Sequence, residues 1–262
     1  MRLAVAFLPS LATPAPRALC VVIDVLRATT TLAALLERGV AEVAVAADLA
    51  AAHALRAAEP DRLLAGEDGG LRPEGFDLGN SPREALAGDL AGRRAICRTS
   101  NGTGALRAVA ACEWVLLGCV RNAPAVARAA AALARQHDLD ITLVCSGTGG
   151  GRIFALDDAL TAGLLAHLLL ETARAASAPP PDLDDAARAA LALFDAAIGT
   201  TDSSAAARWA DVFRQTASGR HLVALGLGAD IDCCAAFGAS ATVPRAARRG
   251  DALLVTPLHA VA

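Results

Sequence analysis

Residues 18–23 form a short aliphatic run, and Asp24-Val25-Leu26-Arg27-Ala28-Thr29-Thr30-Thr31 follows it. An acid therefore ends a buried strand, and an arginine and three hydroxyls open the next helix. Free N–H groups and the positive end of a helix dipole suit a phosphate there. Asp24 could ligate a divalent metal that bridges to that phosphate.

Other loops share this grammar. Gly66-Glu67-Asp68-Gly69-Gly70 sets two acids among glycines, and Gly75-Phe76-Asp77-Leu78-Gly79-Asn80-Ser81-Pro82 brings a glycine-bounded Asn80-Ser81. Glycine allows tight turns and close approach to a ligand. In Thr99-Ser100-Asn101-Gly102-Thr103-Gly104, the side chains of Ser100, Asn101 and Thr103 can donate hydrogen bonds to an oxyanion without a fixed charge. Arg121-Asn122 follows a further strand, and Ser146-Gly147-Thr148-Gly149-Gly150-Gly151-Arg152 precedes Leu156-Asp157-Asp158. The glycine loop is not a dinucleotide fingerprint, because Arg152 stands where a third glycine is needed. Cys145 and Arg152 are one residue too far apart for a cysteine phosphatase loop, and Leu26 stands where an aspartyl phosphatase needs its second acid.

Alternating elements must position these loops. Aliphatic runs at 18–24, 42–46, 94–98, 114–119, 141–146 and 252–256 read as buried strands, with a first strand near Leu3–Leu8. Ala-rich stretches at 29–38, 48–58, 102–111, 124–136 and 156–174 read as helices. The expected fold is layered α/β/α, with a mostly parallel sheet and either one α/β unit over 1–262 or two α/β lobes. Ser177-Ala178-Pro179-Pro180-Pro181 cannot continue a helix, so a lobe joint is expected near 177–184. Asp182 or Asp184 would cap the next helix, which runs to about residue 197, and 200–204 forms another polar joint.

Composition narrows the function. All 24 basic residues are Arg, which removes Schiff-base chemistry and a P-loop lysine. A net charge of -3 argues against a nucleic-acid partner. No apolar stretch is long enough for a membrane span, and a cytoplasmic protein is expected. Seven cysteines without CxxC spacing read as core thiols of a reducing compartment. His53, His137, His167, His221 and His259 read as surface or core residues, and Trp114 and Trp209 as core anchors. The apolar bias hints at a homo-oligomer.

Taken in order, Ile23–Thr31, Gly66-Glu67, Gly75–Pro82, Asn101-Gly102-Thr103, Asn122-Ala123 and Leu156-Asp157-Asp158 resemble the 2-phosphosulfolactate phosphatase family, from about residue 20 to Pro244. The resemblance implies a layered α/β fold and magnesium-dependent removal of phosphate from 2-phospho-3-sulfolactate, a step of coenzyme M synthesis. It implies Asp24 and Glu67 as magnesium ligands or water-activating acids, with Asp157 or Asp158 beside them. Arg27, Thr29, Thr30, Asn101 and Thr103 would bind the anionic groups, Asn80 and Ser81 would orient substrate or the metal's waters, and Arg121 and Asn122 would stand at the site. Asp68, Arg98, Asp157 and Arg121 depart from the family pattern, with one positive charge lost and two gained near the mouth, so a related phosphorylated acid is an alternative substrate. A non-catalytic anion binder and a nucleotide-binding oxidoreductase remain as other readings.

Overall fold

The computed structural model describes residues 1–202 and 205–258, so Ser203, Ser204 and His259 lie outside the described residues. Eleven strands form one sheet: β1 (Arg2–Ala6), β2 (Leu19–Ile23), β3 (Glu42–Val45), β4 (Leu63–Gly66), β5 (Leu78–Gly79), β6 (Arg94–Arg98), β7 (Trp114–Gly118), β8 (Ile141–Cys145), β9 (Asp182–Leu183), β10 (Pro244–Arg249) and β11 (Ala252–Pro257). The helices are α1 (Ala28–Glu37), α2 (Leu49–Ala58), α3 (Pro82–Ala87), α4 (Gly102–Ala108), α5 (Ala123–His137), α6 (Leu156–Ala175), α7 (Asp185–Ala197), α8 (Ala205–Gln215), α9 (Ala217–Ala224) and α10 (Ala229–Cys234).

The strand order is β5-β4-β6-β3-β11-β10-β7-β2-β8-β1-β9. The first four and the last five strands pair in parallel within their blocks, and the antiparallel β10–β11 hairpin joins the blocks. The fold is thus mixed α/β, with one large, mostly parallel sheet flanked by helices. Every residue of β2 is buried, as its unbroken aliphatic run requires for a strand covered on both faces. The outermost strands, β5 and β9, have two residues each, which limits exposed edge. The segment after α6 supplies β9 and ends at Asp184, whose carboxylate caps α7 by accepting from Ala187 N.

The sheet curls. β6 and β2 stand five strand spacings apart in the order, which is about 24 Å across a flat sheet. Yet a Cβ added at Gly102, just after β6, would lie 2.8 Å from Asp24 Oδ2, just after β2. Helix α1 explains this closure. It is buried around its circumference, with every residue from Ala28 to Leu36 enclosed, and it packs against α3, β7, β10 and β11. Curvature about α1 brings the carboxyl ends of both parallel blocks to one cavity.

Candidate active site

The cavity, of about 360 Å³, opens where the strand ends meet. Asp24 and Arg27 reach it from the β2–α1 turn, Glu67, Gly69 and Gly70 from the loop after β4, and Asn80 from the end of β5. Ser100 and Asn101 follow β6, residues 147–150 follow β8, and Asp157 and Asp158 open α6. Ser218 and His221 of α9 complete the rim.

Four carboxylates in one small space divide into two kinds. Glu67 and Asp158 are anchored. Glu67 Oε1 accepts from Ser100 N at 2.5 Å, and its Oε2 accepts from Gly70 N at 2.7 Å and Ser100 Oγ at 3.2 Å. Asp158 Oδ1 accepts from Val25 N at 3.0 Å, and its Oδ2 accepts from Ser146 Oγ at 3.0 Å and Gly147 N at 3.1 Å. Each of these acids ties together loops from adjacent elements. Asp24 and Asp157 are more open: Asp24 Oδ1 accepts from Ala28 N at 3.2 Å, and Asp157 Oδ1 from Ser218 Oγ at 3.0 Å. An ionised carboxylate has about four lone-pair sites, so both keep acceptor capacity.

Burial pushes Asp24 up from 3.8 to about 6; the Ala28 amide opposes this, and the charges of Glu67 and Asp157 add to it. Burial likewise raises Asp157 from 3.8 to about 6, against hydrogen bonds from Ser218 and Thr216. Asp158 is pushed well above the usual range by burial, then by Asp157 and Asp24. Arg27, 3% exposed, does not offset this negative charge, because its Nη1 meets Asp230 Oδ2 at 2.6 Å and its Nη2 donates to Gly70 O at 2.6 Å. The Leu26–Arg27 peptide is cis.

The donor set fits a hard divalent cation. Oxygen ligands surround a cavity rich in negative charge, and the Asn80 side-chain carbonyl, in a residue 4% exposed, has no hydrogen-bond partner. No three Asp, Glu, His or Cys side chains among the described residues form a closed metal cage. Such a cation would therefore take one or two carboxylates and fill its shell with water and substrate oxygens, which is the habit of Mg²⁺.

Several residues expected at the site do not line the cavity. Thr29 Oγ1 donates to Asp24 O and Gly118 O, each at 2.9 Å, and Thr30 Oγ1 donates to Val25 O at 2.8 Å. These hydroxyls satisfy strand-end carbonyls rather than a ligand. Thr103 Oγ1 accepts from Thr99 N at 3.0 Å. Ser81 caps α3 and donates to Asp230 at 2.6 Å. Asn122 accepts from Cys119 N and donates to Leu117 O and Thr242 O, fastening the end of β7. Arg121 pairs with Glu37 at 3.3 Å. Arg98 pairs with Asp68 at 2.8 Å. Of the two positive charges expected near the mouth, neither lines the cavity, and each is offset by a carboxylate.

Ser218, His221 and Asp230 carry no site signal in the sequence. Ser100, expected as a donor to an oxyanion, lines the cavity and gives its N–H and Oγ to Glu67. His221 stands at the rim, its Nε2 3.3 Å from Gly69 O, because α9 folds over the strand ends. Helical sequence after residue 205 carries no loop signature that would reveal this. The cysteines read correctly as free thiols. Burial raises Cys145 well above the thiol range and Cys97 to about 12, the opposite of a reactive thiolate.

A family model described as 2-phosphosulpholactate phosphatase matches residues 8–249. A probable 2-phosphosulfolactate phosphatase of Deinococcus radiodurans is 42% identical over 245 residues, covering 93% of this chain and 92% of that one. Another from Thermus thermophilus is 39% identical over 235 residues, covering 89% and 90%. One from Gloeobacter violaceus is 36% identical over 232 residues, covering 88% and 89%.

Proposed function

The chain belongs to the 2-phosphosulfolactate phosphatase family and is a phosphoric monoester hydrolase, and from that premise we propose that it converts 2-phospho-3-sulfolactate to 3-sulfolactate and phosphate with Mg²⁺ bound at Asp24 and Asp157. One observation carries the cation: four carboxylates crowd the cavity while Asp230 neutralises Arg27. A substrate with phosphate, carboxylate and sulfonate groups would be repelled from such a cavity unless a cation entered with it. The unpartnered Asn80 carbonyl supports the same reading, because it offers a neutral oxygen to the ion or its water.

Water oxygen attacks phosphorus, the ester P–O bond breaks, and the leaving oxygen takes up a proton. Bound Mg²⁺ supplies charge neutralisation on the phosphoryl oxygens and a template for in-line attack. The chain supplies the rest. Glu67 and Asp158 fix the loops that shape the cavity, Arg27 offers its remaining N–H groups to an anion, and Ser100, Asn101 and His221 line the space left for the organic part. With that substrate the proposal extends to a step of coenzyme M synthesis in the cytoplasm, and seven free thiols support a reducing compartment. Among the described residues, no helix is long and apolar enough to cross a membrane.

The test is phosphate release from 2-phosphosulfolactate and a panel of phosphorylated small acids, with Mg²⁺ or EDTA, by the wild type and Asp24→Asn. Mg²⁺-dependent release that falls at least about a thousandfold in the variant is expected. Release unaffected by EDTA, or a variant as active as the wild type, would sink the assignment.

A further inference from the structure

Building on the Mg²⁺-dependent reading above, we propose that Asp230 is a positioning residue: it serves as the private counter-ion of Arg27 and keeps that guanidinium from pairing with the carboxylates that receive the cation. Asp230 sits on α10, 203 residues from Arg27 in sequence, and both side chains are 3% exposed. It is absent from the cavity lining, so its effect must pass through Arg27. One carboxylate oxygen takes Arg27 Nη1 at 2.6 Å, and the other accepts from Ser81 Oγ at 2.6 Å. The second terminal nitrogen of Arg27 donates to Gly70 O at 2.6 Å.

The need for this arrangement follows from charge. A buried guanidinium beside Asp24, Glu67 and Asp157 has several competing anions within the same cavity. In a low-dielectric site such a charge does not stay unpaired. If it met Asp24 or Asp157, it would occupy the oxygens needed by a cation. Asp230 meets it first, in charge-assisted contact, and Ser81 holds Asp230 in register. A guanidinium has five N–H donors, so these two contacts leave others for an anion. The network makes Arg27 a directional donor within an ion pair of no net charge, and leaves Asp24 and Asp157 to the metal.

The experiment is calorimetric titration of Mg²⁺ alone into four purified proteins at pH 7.5: wild type, Asp230→Asn, Ser81→Ala and the double variant Arg27→Met/Asp230→Asn. Each is first checked for a cooperative melt. Asp230→Asn keeps the shape but removes the counter-charge, so Arg27 turns to an open acid and Mg²⁺ affinity falls at least about tenfold. Ser81→Ala loosens Asp230 without changing charge, and affinity falls roughly two- to fivefold. The double variant removes the competing guanidinium too, and affinity returns to within about threefold of wild type although phosphatase activity does not return. A merely structural role would lower the melting temperature without this recovery. Mg²⁺ affinity unchanged in Asp230→Asn, or a double variant that binds no better than Asp230→Asn, overturns the proposal. If Asp230→Asn does not fold, Ser81→Ala decides it: a two- to fivefold fall in Mg²⁺ affinity supports the proposal and an unchanged affinity overturns it. A wild type that binds Mg²⁺ but releases no phosphate would refute the phosphatase reading and leave the Asp230 outcomes to be judged separately. A wild type that binds no Mg²⁺ refutes both.

Discussion

The two walls of the cavity come from different blocks of the sheet and are built on the same device. On the β4/β6 wall, Glu67 takes three donors from Gly70 and Ser100; on the β2/β8 wall, Asp158 takes three from Val25, Ser146 and Gly147. Each anchored acid joins neighbouring loops and spends most of its acceptor capacity doing so. The walls differ in what stands beside the anchor. The β2/β8 wall adds Asp24 and Asp157, whose carboxylates remain open, whereas the β4/β6 wall adds Ser100, Asn101 and the Asn80 carbonyl. Acidity alone therefore does not identify a metal ligand, because the hydrogen bonds already made decide which carboxylates are free. On our reading, the cation lies against the β2/β8 wall, with the Asn80 carbonyl reaching it or its water from across the cavity, and the organic part of the substrate lies against the rest of the β4/β6 wall.

The asymmetry can be broken by neutralising one acid on each wall. Asp157→Asn should lower kcat/KM about a thousandfold and raise the Mg²⁺ concentration for half-activation. Glu67→Gln puts an amide N–H against the donors of Ser100 or Gly70, and should lower kcat/KM about a hundredfold with little change in Mg²⁺ activation. Steady-state kinetics over a Mg²⁺ series tests both. If the two variants alter Mg²⁺ activation equally, the division of labour between the walls is wrong.

Asp158→Asn sharpens the comparison through stability. One of its donors, Val25 N, Ser146 Oγ or Gly147 N, would face an N–H instead of an oxygen. The expected loss is about 2–3 kcal/mol, read as a lower denaturation midpoint with an unchanged denaturant slope. Asp157→Asn should do the reverse in metal-free protein, since it removes a buried, repelled charge.

The strand-end position of Asp24 was readable because it follows the aliphatic run of β2, and β6 over Arg94–Arg98 and α2 from Leu49 to Ala58 also fall at or within a residue of where the pattern put them. What escaped was structure whose reason is non-local. β10 reads Pro-Arg-Ala-Ala-Arg-Arg, with no apolar run to announce it, and is a strand because β7 and β11 flank it and Arg245 lies 4.0 Å from the centre of the Trp114 ring. Nothing in the sequence around Asp230 gives it a role, and its meaning appears only when α10 meets Arg27. Thr29 and Thr30 show the opposite error, in which a phosphate-like loop composition serves strand-end carbonyls instead. Local pattern revealed the loops, but Asp230 and Arg121 find their partners far along the chain, and for Thr29 and Thr30 composition does not say whether a hydroxyl turns to a ligand or to a carbonyl five residues back.

The raised acids also give a pH test. Asp24 and Asp157 move from 3.8 to about 6, so between roughly pH 4 and 6 the native state holds more protons than the unfolded chain. Stability of metal-free protein from this source is greatest below that window, falls through it, and levels off above it. The cost above pH 6 is on the order of 3 kcal/mol per group. Asp157→Asn removes that acid and also relaxes Asp24 and Asp158, whose rise its charge feeds, so the variant's advantage in metal-free melts should grow from pH 4 to 6 and vanish when Mg²⁺ is added at pH 7.5. A constant advantage across pH would remove burial of charge as its cause.

The smallest effect is expected at the rim. Ser218 Oγ donates to Asp157 Oδ1 at 3.0 Å, and it comes from α9 rather than from either wall. Its loss takes one neutral donor from a carboxylate that the cation would hold more strongly, so Ser218→Ala should change kcat only two- to threefold, near 0.5 kcal/mol. Without the metal, the same hydroxyl is one of the groups opposing the rise of Asp157, and its removal should push that acid higher. The metal-free variant should thus show its pH-dependent loss of stability shifted upward, while the Mg²⁺-loaded enzyme barely changes. A large fall in kcat with saturating Mg²⁺ would instead make α9 part of the catalytic wall, and the two-walled division would have to become three-sided.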